Sequence, residues 1–208
     1  MNEEQDYIRD IAQIRAIMER SSKFLSLAGW AGIMAGLYAL AGAYIAYEVL
    51  GFNPDELVYS STNSSGSSFS LVQVIALASA ILVLAMGTAI LLSYNKATKR
   101  GEKLWNAIVK RLLINMAVPL LVGGLLILVL ITKGLIGLLA PFTLVFYGLA
   151  LYNASQFTYE EVKSLGLIQI GLGLLSAYFI EYGLVCWALG FGVAHIMYGI
   201  YMHYRYER

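Results

Sequence analysis

A long uncharged run near the N-terminus limits the fold of this chain more than any other feature. Residues 24–50 read FLSLAGWAGIMAGLYALAGAYIAYEVL, and their first charge is Glu48. Roughly 20 helical residues cross the hydrocarbon core of a bilayer, so this run is long enough to span it with a tilt. We therefore predict a transmembrane helix here.

Small residues recur within this run at helical spacing. Alanine occupies every fourth position of one stretch, and a Gly-x-x-x-Gly pair lies beside it. On a helix these residues form a nearly bare stripe, against which a neighbouring backbone can pack closely. The predicted packing positions are Ala31, Ala35, Ala39, Ala43, Gly32 and Gly36.

The composition extends this prediction to the whole chain. Of the 208 residues 59% are hydrophobic and 13% are charged, whereas soluble domains carry about 25% charged residues. We therefore predict an all-α, polytopic integral membrane protein built as a six-helix transmembrane bundle. The predicted spans are about 24–50, 70–94, 112–131, 135–153, 164–180 and 184–204, followed by a tail at 205–208.

The first 23 residues have a different pattern. Tyr7, Ile11, Ile14 and Met18 recur at helical spacing with charged residues between them, which predicts an amphipathic helix. Acidic residues slightly outnumber basic ones here, whereas helices that bind anionic lipid surfaces are usually basic. We expect this helix to dock on the cytoplasmic face of the bundle or on a protein partner.

The basic residues predict the orientation. With six spans, all of the 14 Lys and Arg residues except Lys133 lie on one side. Loops rich in Lys and Arg stay cytoplasmic, so both termini are predicted to lie inside, with the bacterial inner (plasma) membrane as the location. The net charge of +1 argues against a nucleic-acid partner.

His195 is the leading candidate for a functional residue. It lies about eleven residues into the sixth predicted span, and no Asp, Glu, Lys or Arg shares that depth. An ionisable side chain inside a membrane is costly and points to a proton relay or a polar ligand contact. The structural alternative is a neutral imidazole that is hydrogen-bonded to a tyrosine or to a backbone carbonyl.

Other polar residues and two prolines add weaker candidates for a ligand or ion pathway. Proline removes a backbone donor and kinks a helix, and broken helices line the sites of many transporters. Kinks that only improve packing are the alternative. The further pathway candidates inside the spans are Asn115, Gln169, Thr143 and Tyr198, and the predicted kinks are at Pro119 and Pro141.

Glu48 and Glu181 are predicted to lie at the outer mouth, with several tyrosines close by in the sequence. Carboxylates and aromatic rings together can attract a cation or bind an amine. The alternative, which we favour, is an interfacial aromatic belt with solvated acids.

The sequence predicts no metal, no cofactor and no catalytic residue. His195 and His203 are about 12 Å apart along a helix axis, so they do not converge on one metal ion or haem. Catalysis usually needs several polar groups at one depth, and only one clear candidate is present. We therefore expect a protein that is not an enzyme.

A weak internal repeat is also visible. The second, fourth and sixth predicted spans carry a glycine at a similar distance from their cytoplasmic ends, in the pairs Met86-Gly87, Tyr147-Gly148 and Tyr198-Gly199. A threefold repeat of helical hairpins would produce this pattern.

Two functions remain open. The first is a small permease, channel-like protein or binder of a lipid or small hydrophobic molecule, and it depends on His195, the prolines and the outer carboxylates. The second is a non-enzymatic membrane sensor or assembly module that engages a protein through the N-terminal helix. The expected partners are the lipid bilayer, a second copy in a homo-oligomer, and the ligand or protein named for each function.

Overall fold

The computed structural model describes residues 29–52, 67–99, 105 and 107–206. It is 93% helical and has no strands in this part of the chain, which confirms the predicted all-α class. Six long helices are present, and five of them are long and apolar enough to cross a membrane. The predicted N-terminal helix, residues 1–23, lies outside the described residues.

The helices are numbered in chain order. The last of them, α6, spans residues 183–206 and contains three consecutive segments with different winding. The first five helices are α1 Gly29–Tyr44, α2 Ser67–Lys99, α3 Ala107–Thr132, α4 Leu139–Ala154 and α5 Glu161–Tyr178. A π-helical turn, Ile45–Val49, follows α1; 3-10 turns lie before and after α4, at Ile136–Leu138 and Ser155–Phe157; and a 3-10 turn, Ile180–Tyr182, follows α5. The three segments of α6 are α-helical Gly183–Trp187, π-helical Ala188–Ala194 and α-helical His195–Tyr206.

Helices α2 and α3 extend beyond their apolar runs. Lys96 and Lys99 lie in the last turn of α2, and Lys110 and Arg111 lie in the first turns of α3. A helix continues past the hydrocarbon because its backbone hydrogen bonds do not depend on side-chain polarity, while long basic side chains reach toward water. The apolar pattern therefore marks the part of a helix that fits the bilayer and not its full length.

Among the described residues, α5 is the one long helix outside the set of five candidate spans. Its first turn carries Glu161 and Lys163, and Gln169 lies near its middle. These polar residues lower the mean hydropathy of an otherwise apolar helix. Glu161 and Gln169 take part in the polar contacts described below.

The turn after α3 shows why a glycine follows this helix. Gly134 has φ +72°, a left-handed conformation in which glycine carries no steric penalty. Its amide donates to the Ile131 carbonyl at 3.1 Å, and the Leu135 amide donates to the Leu130 carbonyl at 2.9 Å. These bonds satisfy carbonyl groups at the helix end, so the chain reverses within two residues.

The helices pack in an order that follows the chain only in part. Helix α1 packs against α2 and α6, α6 packs against α5 and α4, and α4 packs against α5 and α3. Helices α2 and α3 therefore lie at the two ends of this series of neighbours. The most apolar stretch of α2 has no buried residue.

Glycines bring two pairs of helices into close contact. A Cβ atom placed on Gly166 of α5 would lie 2.8 Å from the Gly148 carbonyl oxygen of α4. One placed on Gly29 of α1 would lie 2.7 Å from the Gly199 carbonyl oxygen of α6. Such approach is available only without side chains, and it is the packing that membrane helices favour.

The glycines of the predicted small-residue stripe on α1 face α6. A Cβ atom on Gly32 would lie 3.1 Å from the His195 carbonyl oxygen, and one on Gly36 would lie 2.6 Å from the Gly192 carbonyl oxygen. Ala31, Ala39 and Ala43 are buried, whereas Ala35 is half-buried.

Candidate functional site

The site is centred on His195, which is 6% exposed. His195 directly follows the π-helical segment Ala188–Ala194 of α6. A π-helix takes up one more residue per hydrogen-bonded turn than an α-helix and occurs frequently at functional sites. Here it sets the direction in which the imidazole leaves α6.

Two hydrogen bonds define the tautomer of His195. Its Nδ1 atom lies 3.0 Å from the Gly190 carbonyl oxygen, which can only accept. Its Nε2 atom lies 2.9 Å from the Tyr147 hydroxyl. The network therefore assigns the proton to Nδ1, which donates to Gly190, while Nε2 accepts from Tyr147. The imidazole is held at both nitrogens, by a tyrosine and by a backbone carbonyl.

Gln169 of α5 completes this group. Its Nε2 donates to the Gly190 carbonyl oxygen at 2.8 Å. Its 3.3 Å approach to the His195 Nδ1 atom joins two donors, so we do not count it as a hydrogen bond. The Gly190 carbonyl thus accepts from two side chains and links α5 to α6.

The side-chain carbonyl oxygen of Gln169 takes no part in these hydrogen bonds. Its side chain is completely buried, and Oε1 has no hydrogen-bond partner in the described part of the chain. A flipped amide would turn Oε1 toward the Gly190 carbonyl, where two acceptors would repel each other. The assigned orientation is therefore fixed, and it leaves one acceptor free beside His195.

Aromatic rings form one wall of the site. The Phe191 ring stacks on the His195 ring at 13° with centroids 5.9 Å apart. Tyr147 and Trp187 each lie 5.0 Å from Phe191, measured between ring centroids. These rings exclude water from the imidazole, which strengthens its hydrogen bonds.

A second polar group lies where α5 begins and α6 ends. The Tyr206 hydroxyl donates to Glu161 Oε1 at 2.8 Å, and Arg205 Nη1 lies 3.4 Å from the same oxygen. Glu161 Oε2 and the hydroxyl of Tyr198, one turn after His195, are buried and make no hydrogen bond within the residues described. Tyr198 and Tyr147 both pack against the cluster formed by Leu151, Tyr159, Val162, Leu165 and Met202.

The structure brings three of the predicted pathway residues, His195, Gln169 and Tyr198, into this region. It keeps the others apart. Asn115 is exposed and donates to the Arg111 carbonyl of its own helix at 2.8 Å. Thr143 donates to the Ala140 carbonyl, also at 2.8 Å, in the first turns of α4. Both side chains bond within their own helix, and neither is among the hydrogen-bond partners of His195.

The prolines and the two acids that the sequence places at the outer mouth also lie away from His195. Pro119 is buried inside α3, whereas Pro141 falls in the first turn of α4, where the missing donor is tolerated. Glu48 and Glu181 are exposed, in the segments that end α1 and precede α6.

Sequence reasoning does not single out Tyr147 or Gly190 as site residues. The general expectation that a buried histidine bonds to a tyrosine or a carbonyl matches the structure, but no spacing connects Tyr147 with His195 across 48 positions. Gly190 contributes only its backbone carbonyl. Its residue type therefore indicates a close approach of neighbouring side chains but not a hydrogen-bonding role.

No group of three His, Cys, Asp or Glu side chains in the described ranges is placed to hold a metal ion. Comparisons with models of protein families, with curated proteins and with solved structures find no match to this chain.

Replacing Tyr147 with phenylalanine is expected to lower the free energy of unfolding by about 1–3 kcal/mol, because His195 Nε2 keeps its burial and loses its donor. The measurement is thermal unfolding of the detergent-solubilised protein. The matched control is Tyr178→Phe, because the Tyr178 side chain is 81% exposed. Equal shifts in the two variants would contradict a buried hydrogen bond.

Proposed function

We propose that this protein is a six-span membrane protein with both termini in the cytoplasm of a bacterium. Helix α5 is the span that the five apolar candidates leave out, and Gln169 near its middle is buried against protein instead of lipid. This orientation is supported by the basic residues, because Lys96, Lys99 and Lys110 all lie near the connector between α2 and α3, and Lys133 alone lies in a connector on the other side.

We further propose that the protein binds a small molecule beside His195, as a small permease or as a binder of a lipid or other apolar molecule. The observation that carries this proposal is the free Gln169 Oε1 atom. A buried acceptor without a donor costs about 1–3 kcal/mol, and within a bilayer water is scarce. A ligand that donates a hydrogen bond to this oxygen recovers that cost.

The surrounding groups limit the chemistry of this ligand. It needs a hydroxyl, amine or amide donor for Gln169, and an apolar body beside the Phe191 ring. A Cβ atom on Gly190 would lie 2.5 Å from Gln169 Oε1 and 2.5 Å from Leu144 Cδ2, so the ligand enters only when α5 and α6 separate slightly. A bundle that opens in this way is suited to a permease.

Mass spectrometry of small molecules that co-purify with the protein tests this proposal. The wild type is expected to carry a bound molecule with a hydrogen-bond donor, and Gln169→Leu and His195→Ala are expected to lose most of it. The matched control is Thr143→Val, because Thr143 bonds only within its own helix. The same occupancy in all four proteins, or no bound molecule in the wild type, would refute the proposal.

A further inference from the structure

The two glycine contacts described above are copies of one another. Between α4 and α5, a Cβ atom on Gly148 would lie 2.6 Å from the Gly166 carbonyl oxygen and 2.9 Å from the Ile170 amide nitrogen. Between α6 and α1, a Cβ atom on Gly199 would lie 2.6 Å from the Gly29 carbonyl oxygen and 2.6 Å from the Ile33 amide nitrogen. Each isoleucine follows its glycine by four residues.

The correspondence continues two turns along each pair of helices. A Cβ atom on Gly173 of α5 would lie 2.9 Å from the Pro141 carbonyl oxygen and 2.6 Å from a Val145 methyl group. The corresponding atom on Gly36 of α1 would lie 2.6 Å from the Gly192 carbonyl oxygen and 2.6 Å from Ile196 Cγ1.

The same positions on each helix make these contacts. On α4 and α6 the contacting residues are at positions i, i+4 and i+7, and the last of the three is glycine. On α5 and α1 they are also at i, i+4 and i+7, and the first of the three is glycine. The two sets are Pro141, Val145 and Gly148 with Gly166, Ile170 and Gly173, and Gly192, Ile196 and Gly199 with Gly29, Ile33 and Gly36.

Two of the three junctions of a hairpin repeat are therefore built alike. The hairpins are α1–α2, α3–α4 and α5–α6, and each observed junction joins the second helix of one hairpin to the first helix of another. The remaining junction of the repeat is between an α2 and an α3.

The sequences of α2 and α3 contain both halves of this third junction at the same spacing. The α2 face consists of Ala80, Leu84 and Gly87, and the α3 face consists of Ala117, Leu121 and Gly124. Ala117 stands at the position that Gly166 and Gly29 occupy at the two observed junctions. The middle position of each face is leucine where the observed junctions have valine or isoleucine, and the glycines Gly87 and Gly124 are kept.

Both faces are open in the structure. Cβ atoms placed on Gly87 and Gly124 would meet no atom of the described part of the chain within 4 Å. Leu84 is 54% exposed and Leu121 is 67% exposed. Neither face carries a charged residue. At the α4–α5 and α6–α1 junctions the two faces pack against each other, whereas the corresponding faces of α2 and α3 are both exposed.

We propose that the α2 face and the α3 face form an interface between two copies of this chain, with α2 of one copy packed against α3 of another. The repeat identifies the mate of each face, and α2 and α3 lie at opposite ends of the series of packed neighbours, so a second copy supplies the mate. Every copy carries both halves, so a symmetric assembly can pair them all. In lipid, close packing of small-residue faces drives helix association.

Disulfide crosslinking in native membranes tests this interface. By equivalence with Val145 and Gly173, Leu84 of one copy faces Gly124 of another. In a Cys186→Ser background, a chain with Leu84→Cys and a differently tagged chain with Gly124→Cys are expected to form a mixed dimer on oxidation. Leu82→Cys is the control in place of Leu84→Cys, because Leu82 is 60% exposed on another side of α2.

Two results would overturn the proposal. One is a disulfide that forms only when both cysteines are in the same chain, which would mean that α2 and α3 of one copy close on each other. The other is crosslinking no stronger through position 84 than through position 82.

A second variant does not depend on disulfide geometry. Gly124→Leu fills open space within its own chain, so the melting temperature of the single chain is expected to stay the same. The mass in detergent, measured by light scattering, is expected to fall to that of one chain. An oligomer that persists in Gly124→Leu would count against the interface even if the ligand at His195 is confirmed, so the two proposals fail separately.

Discussion

Replacing Gly166 with leucine is expected to lower the melting temperature of the purified protein by roughly 10 °C, because overpacking costs about 3 kcal/mol or more in a close contact. A Cβ atom at this position would lie 2.8 Å from the Gly148 carbonyl oxygen and 2.9 Å from the Tyr152 amide nitrogen. Both are backbone atoms, so no side-chain rotation relieves the clash, and α4 and α5 must separate.

The control lies on the same helix. A Cβ atom on Gly171 would meet no atom within 4 Å in the ranges that the structure describes, so Gly171→Leu should leave the melting temperature nearly unchanged. Gly166→Leu and Gly171→Leu introduce the same side chain at two positions that are little more than one helical turn apart. Similar losses in the two variants would mean that α4 and α5 do not pack as described.

Replacing Gly190 with alanine is expected to abolish most ligand occupancy and to destabilise the protein by about 1–3 kcal/mol. The added methyl group would lie 2.5 Å from both Gln169 Oε1 and Leu144 Cδ2. Displacing the Gln169 amide breaks its hydrogen bond to the Gly190 carbonyl, which also holds His195. The measurements are thermal unfolding and the mass-spectrometric occupancy described above.

Gly183→Ala is the matched control in the same helix. The nearest atom to a Cβ on Gly183 is 3.7 Å away, which is ordinary contact. In a helix, alanine in place of glycine usually stabilises by about 0.5–1 kcal/mol. The two substitutions are therefore expected to change stability in opposite directions, and a loss of similar size in both would refute the crowding at Gly190.

The helical class of this protein follows from its sequence because uncharged runs of this length have few other stable structures in a bilayer. The ends of the helices do not follow, since α2 and α3 continue through Lys96 and Arg111 with intact backbone bonds. The polar character of α5 is also readable, because Glu161 and Gln169 interrupt its apolar pattern.

The site could be predicted only in part. His195 is recognisable because an ionisable residue is rare at that depth, and Gln169 is recognisable as an amide within a span. Their shared partner is the Gly190 carbonyl, which every residue possesses, so residue type gives no signal. Tyr147 reaches His195 through the packing of α4 on α6, and that packing depends on contacts that are distant in sequence.

The sequence shows that a glycine recurs at Gly87, Gly148 and Gly199, but it does not show what each glycine contacts. Gly148 and Gly199 each contact a glycine near the start of another helix, and a one-dimensional pattern does not show which helix. Gly87 has the same local sequence character, but a Cβ atom placed on it would meet no atom of the described residues within 4 Å. Three similar positions thus have two different environments.

The π-helical segment makes the imidazole depend on the length of the chain as well as on its side chains. A π-helical turn holds one more residue than an α-helical turn, so a single-residue deletion within Ala188–Ala194 that restored α-helical winding would leave His195 near Tyr147 and Gln169, whereas a deletion in the α-helical stretch Gly183–Trp187 would turn it by about 100°. The direction of His195 therefore depends on where a residue is lost from α6, even where every remaining residue keeps its identity.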